Sequence, residues 1–316
     1  MDMIEDEQAR LLPCAGGAVY NLSRALGLQG VGTLYLNPLS ADRYGRLLAT
    51  RIHEAGVTLA RPEPVTQPTS LAVVGLDGQG KASYSFYREG VADRQVTTQG
   101  LNLACQQANS LQVVATGCLA LVADDSAIYL PWLQAQRATG RLVVVDANLR
   151  PAIVSDMATY RASVLAALGQ AHLVKASDDD LALLELPGAT PLDQARHLLT
   201  LTPATWAALT LGAEGAVLLH RDGRAWHARE TAPVVVADTV GAGDCFLAGL
   251  LVALLACESV QHSPTALALT DAEVAHVLAH AVASASLCVQ QVGCVPPNLV
   301  TVRQRVATAP ARVHPC

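Results

Sequence analysis

Short apolar runs bounded by turn residues alternate along the chain with longer segments whose apolar residues recur at three- and four-residue spacing. The first kind fits buried strands and the second fits helices, so their alternation predicts an α/β chain with a mostly parallel sheet flanked by helices. Strands are expected at Val31–Tyr35, Val113–Thr116, Leu142–Val145, Leu173–Lys175, Ala207–Leu211 and Ala216–Leu219, with another strand-like run at Ala232–Val236. Helices are expected at Asn21–Leu28, Tyr44–Ala55, Ser126–Ala138, Pro191–Thr200, Gly243–Cys257 and Asp271–Gln290. One region breaks the rhythm. Thr69–Leu76, a glycine-rich Asp77–Gly80 and Lys81–Arg88 read as an antiparallel hairpin, and therefore as a small β lid on the α/β core. The polar stretch Glu258–Thr265 reads as a surface loop.

With 316 residues, 51% of them hydrophobic and only 15% charged, the chain is long enough to bury a large core. A net charge of −6 gives no electrostatic case for nucleic acid or an anionic membrane surface as partner. The longest apolar run, Cys245–Cys257, is shorter than the roughly 20 residues a bilayer span needs. Met1–Glu7 is acidic where a secretory signal would be basic and then apolar, so a cytoplasmic protein is expected. The eight cysteines form no CxxC pair and no His/Cys spacing typical of zinc, which predicts free thiols, several of them buried.

The most informative stretch is Asp238–Phe246, D-T-V-G-A-G-D-C-F, which leads straight into the apolar helix. Gly241, Ala242 and Gly243 let a ligand approach the backbone, and their amides at a helix N-terminus favour an anion. A carboxylate beside a phosphate cradle repels a simply bound anion. Asp244 makes sense there as the acceptor of a proton from a hydroxyl attacking a γ-phosphate. GxxxxGK[ST] is absent, and Gly78-Gln-Gly80-Lys81-Ala82 lacks the metal-binding hydroxyl of a P-loop. No GxGxxG joins a strand to a helix, so a Rossmann dehydrogenase has no support.

The string is similar to the DTxGAGDxF signature of the ribokinase-like (PfkB) carbohydrate kinases, in which the glycine turn is an anion hole and the last aspartate the catalytic base. Further segments resemble the family in the same order: Gly16-Gly17-Ala-Val-Tyr-Asn21 its GGxxxN motif, Leu39–Gly45 its GxDxFG segment with Ser40 for the first glycine, and Asp146-Ala-Asn148-Leu-Arg150-Pro151 its DxNxRP motif. Lys175-Ala-Ser177-Asp178-Asp179-Asp180 stands where many members carry NxxE, and Thr210-Leu-Gly212-Ala-Glu-Gly215 resembles TLGxxG. Ala281–Pro297 resembles the terminal helix and GxxPP turn.

The resemblance implies that Asp244, the Gly241, Ala242 and Gly243 amides and Arg150 are catalytic, and that Asp2, Gly16, Gly17, Asn21, Arg88, Asn148 and Asp244 face a sugar. It places Lys175, Ser177, Thr210, Gly212, Gly215, Gly241 and Gly243 at ATP. Asp180 would order Mg²⁺ through water, and Asp238 and Thr239 a monovalent cation, K⁺. The acids at 178–180 fit a charged helix N-terminus equally well. The implied division is a core of 15–66 and 97–316 with a lid of 1–14 and 67–96, whose edges offer a homodimer contact.

Tyr84–Arg94 looks like the FYREGxADR stretch of bacterial fructokinases, and Met1-Asp2-Met3 like the end of their GEALIDM opening. Fructose is the expected sugar. The 2-keto-3-deoxygluconate kinases, whose arginine near this position meets a carboxylate, are the main rival, with ribokinase behind. A non-catalytic sugar or nucleotide sensor on the same fold is the alternative of another class. Family members normally begin with a core strand ahead of the position of Asp2. The sequence as read implies a late start or a lost strand, the latter leaving a sheet edge exposed.

Overall fold

The computed structural model describes residues 1–5, 10–76 and 82–316. Residues 77–81, on which the expected turn and all but Ala82 of the P-loop look-alike fall, lie outside them. In chain order the structure runs β1 (Asp2–Glu5), β2 (Leu11–Cys14), α1 (Ala18–Leu28), β3 (Leu34–Tyr35), α2 (Arg43–Glu54), β4 (Thr58–Leu59), β5 (Leu71–Leu76) and β6 (Ala82–Tyr87). Then come α3 (Thr98–Gln107), β7 (Val113–Gly117), α4 (Ala123–Ala138), β8 (Leu142–Asp146), α5 (Met157–Leu168), β9 (Leu173–Ser177), α6 (Asp178–Leu183), α7 (Pro191–Leu201) and β10 (Trp206–Thr210). The last third holds β11 (Ala216–His220), β12 (Ala225–Arg229), α8 (Ala242–Ala256), α9 (Glu258–His262), α10 (Asp271–Cys288), α11 (Leu299–Thr308) and β13 (Arg312–Pro315).

The main sheet has the order β13-β12-β11-β10-β9-β8-β7, parallel from β7 to β10 and antiparallel from β10 onward. An interior strand, β8, shows why a continuous apolar run is needed. Leu142 and Val144 of β8 pack into one core with α8 and α10, while Val143 and Val145 pack into a second core with α4 and α5. A strand covered on both faces has no polar face to present. The α8 helix is buried nearly all round because it lies between α1, α10 and the sheet. Among the described residues no helix is long and apolar enough to cross a membrane.

A second sheet, β2-β1-β5-β6, draws its four strands from 1–14 and 67–96 and contains the expected hairpin, β5 antiparallel to β6. Asp42 ties its base to the core. As N-cap of α2 it accepts from Gly45 N at 2.7 Å, and it also accepts from Thr69 N and Thr69 Oγ1 at 2.7 Å each. Partial burial would raise its pKa, but these hydrogen bonds outweigh that and hold it at about 2. A depressed carboxylate stabilises the fold above its unfolded pKa and loses that contribution as the pH falls towards about 2. Thermal melts should therefore show Asp42→Asn less stable than wild type at neutral pH, with the gap narrowing below about pH 4.

Three expectations need correction. Ala232–Val236 is an open loop with Val235 81% exposed, because β-branched residues form a strand only where a neighbour offers a ladder. Glu258–Thr265 contains the short helix α9 rather than loop alone. The strand expected at Val31–Tyr35 shrinks to the pair Leu34–Tyr35, bonded only to β4. Between β3 and the unpaired edge of β7 lies a narrow cavity of about 80 Å³, lined by Leu34–Asn37 on one side and Val113–Thr116 on the other.

Candidate active site

The carboxyl ends of β8 and β9, the starts of α1 and α8, and the second sheet close around one cavity of about 580 Å³. A crevice beyond the carboxyl ends of parallel strands is where α/β sheets place ligands, since loops and helix N-termini converge there. Asp2, Gly16, Gly17, Asn21, Arg88, Asn148, Arg150, Lys175, Asp238, Thr239, Gly241, Gly243 and Asp244 all line it.

The floor is the start of α8. No side chain caps this helix, and Gly241 at its N-cap is left-handed at φ 78°. A Cβ there would lie 2.2 Å from Cys294 Sγ, so both conformation and space demand glycine. Gly241→Ala is expected to lower kcat on the order of 10²-fold by displacing the turn amides. Strain of about 1–3 kcal/mol should also appear as an earlier thermal melt. Wild-type kcat in a folded variant would show that the turn is not used.

Asp244 follows at 8% exposure and accepts a 2.9 Å hydrogen bond from Asn21 Nδ2. Burial raises its pKa above the ordinary aspartate value. The Asn21 amide and the positive charges of Lys175 and Arg150 offset only part of that. Asn21 Oδ1 is buried and unpaired, a donor-seeking atom on a cavity wall, which suits a ligand hydroxyl. Asp2 stands against Gly16, where any Cβ would fall 1.8 Å from Asp2 Oδ2.

Beneath the turn lies a buried ion pair. Lys175 Nζ is 3.0 Å from Asp146 Oδ1 and donates to Asp146 Oδ2 at 3.1 Å. A Cβ on Gly243 would come within 3.0 Å of the same nitrogen, so the ammonium sits directly behind the amide cradle. Burial pushes Asp146 up to about 7 despite Lys175. Burial also works against the Lys175 charge, and Asp146, Asp180 and Asp244 more than offset it.

The loop after β8 is pinned by backbone donors. Ala147 N donates to Lys175 O, Leu149 N to Asp180 Oδ1 at 2.7 Å, and Arg150 N to Tyr160 Oη. Asn148 takes φ 38°, a left-handed geometry asparagine tolerates. Asp180 also accepts from Ser177 N and Ser177 Oγ as a capping box on α6. Its carboxylate thus holds three protein donors and does not line the cavity, an arrangement that fits the helix-cap reading better than a hydrated ion.

Ser177 and Thr210 are register partners at the ends of β9 and β10, with Gly212 just beyond, all outside the cavity wall. Gly215 is packed on the backbone of β12, where a Cβ would meet Ala228 O at 2.0 Å. Asp238 accepts from Val240 N and Gly293 N, which ties the glycine turn to the loop after α10.

Arg88 reaches the cavity already paired. It and Arg94 bind the buried Asp125, Arg94 Nε donating at 2.7 Å. Asp93 lines the same wall, so two positive and two negative charges meet there. Asp125, Asp93 and the Asp146 partner of Lys175 were not assigned roles from the sequence. Asp146 opens the DxNxRP string and Asp93 lies in the FYREGxADR stretch, but Asp125 is one acid of a helix start with nothing local to mark it. The side chain of Tyr84 is outside the description; Phe86 lines the cavity, and Tyr87 is 61% exposed on the far face.

Comparison with known proteins follows the same lines. A family model described as pfkB family carbohydrate kinase matches residues 5–301. The chain is 31% identical over 242 residues to a fructokinase of Rhizobium leguminosarum bv. trifolii, spanning 77% of this chain and 72% of that one. It is 26% identical over 280 residues to an aminoimidazole riboside kinase of Salmonella typhimurium, spanning 88% and 86%. A fructokinase structure from Xylella fastidiosa with bound ATP superposes with a TM-score of 0.83 at 24% identity, covering 97% of this chain and 95% of that one. With the signature residues gathered around one cavity and the match running almost end to end, the chain belongs to the pfkB family of carbohydrate kinases.

Proposed function

We propose that the chain is an ATP-dependent fructokinase that transfers the γ-phosphoryl group to the C6 hydroxyl of D-fructose, with Asp244 as base. One observation carries the mechanism. Asp244 is a buried carboxylate held by Asn21 at the uncapped N-terminus of α8, facing the cavity in which a hydroxyl and a phosphate must meet.

The sugar lies between Asp2, Gly16, Gly17, Asn21, Asn148 and the Arg88 wall, and Asn21 holds Asp244 towards its hydroxyl. As that oxygen attacks phosphorus, its proton passes to Asp244 and ADP leaves in line. The Gly241, Ala242 and Gly243 amides, backed by Lys175 and joined by Arg150, stabilise the charge on the transferring group. ATP runs outward along Ser177, Thr210, Gly212 and Gly215 at the strand ends. A Mg²⁺ ion bound with the nucleotide would need no all-protein cage and would supply charge neutralisation to the phosphates. Asp238 and Thr239, where two loops meet, remain the proposed position of a K⁺ ion bracing the turn. The second sheet acts as the lid. Its outer strands β2 and β6 are the proposed homodimer contact, which solution mass measurement tests.

Fructose rests on the fructokinase relatives and on the charge of the wall. With Asp125 and Asp93 balancing Arg88 and Arg94, the wall suits a neutral sugar better than a carboxylate. Phosphorus NMR of products from fructose and from 2-keto-3-deoxygluconate tests this directly. Fructose 6-phosphate with the higher kcat/KM is expected, by about tenfold or more. A preference for the acid sugar would install the rival reading and leave the mechanism in place.

A further inference from the structure

Three thiols converge behind the phosphate turn. Cys245 follows Asp244 on α8, Cys288 ends α10, and Cys294 lies in the loop beyond; their Sγ atoms all lie within 4.8 Å of one another. They are 0%, 0% and 6% exposed, and every cysteine of the chain is free. Their wide separation in sequence forms no ligand motif, so the cluster is made by the fold. It also touches the reaction machinery. Cys294 Sγ occupies the space beside Gly241, and Cys288 Sγ donates to Val240 O at 3.7 Å.

Buried cysteines are often only small apolar fillers. Three sulfurs sharing one point are different, because thiolates placed about 2.3 Å from a single ion in a trigonal plane stand about 4 Å apart. The native spacing needs little change to reach that. No carboxylate or imidazole among the described residues completes a tetrahedral set, so the donors are three soft sulfurs in an apolar shell. That set suits Cu(I) better than Zn²⁺, whose structural sites take four ligands.

We propose that Cys245, Cys288 and Cys294 form a three-thiolate site for one Cu(I) ion, and that filling it arrests the phosphate turn. Copper enters and stays as Cu(I). Each thiol still protonated releases its proton to solvent, so no electron is exchanged. Loading removes the Cys288 S–H that donates to Val240 O and draws Cys294 Sγ away from the space beside Gly241, so both contacts that support the turn change. The arrest, unlike the binding, rests on the kinase reading.

The test is an anaerobic titration of the whole protein with Cu(I) held by a competing chromogenic chelator, with X-ray absorption counting the sulfur neighbours. One copper with three sulfurs is expected in wild type and in Cys14→Ser/Cys316→Ser. Affinity should drop on the order of 10²-fold in Cys288→Ser and in Cys294→Ala. Sugar-dependent ADP release should fall about tenfold on loading and return with excess chelator. No uptake against the chelator, fewer than three sulfurs, or undiminished uptake in both variants overturns the site. The sulfur count on wild type decides even if a variant fails to fold. Loaded protein with unchanged turnover overturns the arrest alone, and a protein with no sugar-dependent ADP release at all fails the kinase reading while the copper count stands.

Discussion

Asp244→Asn is expected to lower kcat by about 10²–10⁴-fold while leaving the KM values for ATP and sugar near wild type. Asparagine keeps the shape and can still meet Asn21, whose Nδ2 lies 2.9 Å from the Asp244 carboxylate, but it cannot accept a proton. The same carboxylate sets the acid limb of the pH profile. Burial raises its pKa, the base works only when deprotonated, and so kcat/KM should fall on the acid side at a pH above the ordinary aspartate range. Asn21→Ala removes the hydrogen bond that favours the charged form and should move that limb upward. An acid limb at the ordinary aspartate value in wild type would show that a less buried group carries it.

The second large effect belongs to Lys175. Lys175→Met leaves Asp146 buried without its partner, which costs about 3–5 kcal/mol of stability. Asp146 is already raised to about 7, and losing the ammonium raises it further. A carboxylate whose folded pKa is raised destabilises the fold as the pH climbs past its unfolded value. The variant should therefore regain stability as the pH falls from above 7 towards the ordinary aspartate value. Denaturant melts over that range test the sign, and Asp146→Asn/Lys175→Met should be more stable than Lys175→Met alone. Turnover should fall as well, because the charge behind the Gly243 amide is gone. Equal stability of the single variant at all pH values would mean that the pair carries no net electrostatic weight.

The parts of this fold that were legible in the sequence are those governed by local pattern. The runs at β7 to β11 and the helices α1, α2, α4, α7, α8 and α10 show the right period and composition, and each lies within a few residues of its expected place. The elements that were not legible depend on partners. β12 and β13 are short segments that become strands only because β11 offers an edge to β12 and β12 in turn offers one to β13. Ala232–Val236 has strand composition and no edge to join. The site divides in the same way. Asp244, Asn21 and the Gly241–Gly243 turn sit inside a nine-residue string and a GGxxxN motif, and the fold brings them within hydrogen-bonding distance across 223 residues of chain. Asp125 on α4 pairs with Arg88 and Arg94, which follow β6, across a contact that no local spacing encodes. Asp180 read equally as cap or ion ligand because sequence shows its position at a helix start but not the donors around it. The three-cysteine cluster is likewise a product of packing, with its members on α8, α10 and a loop.

The central claim is sugar-dependent phosphoryl transfer with Asp244 as base. Its most direct test is coupled ADP release with Mg-ATP, with and without fructose, on wild type and Asp244→Asn side by side. The account predicts fructose-dependent ADP release in wild type that collapses in the variant although the variant still binds the sugar. Folded wild type that binds fructose without turnover, or a variant as fast as wild type, would contradict it, and binding without turnover would mark a sugar sensor built on a kinase fold.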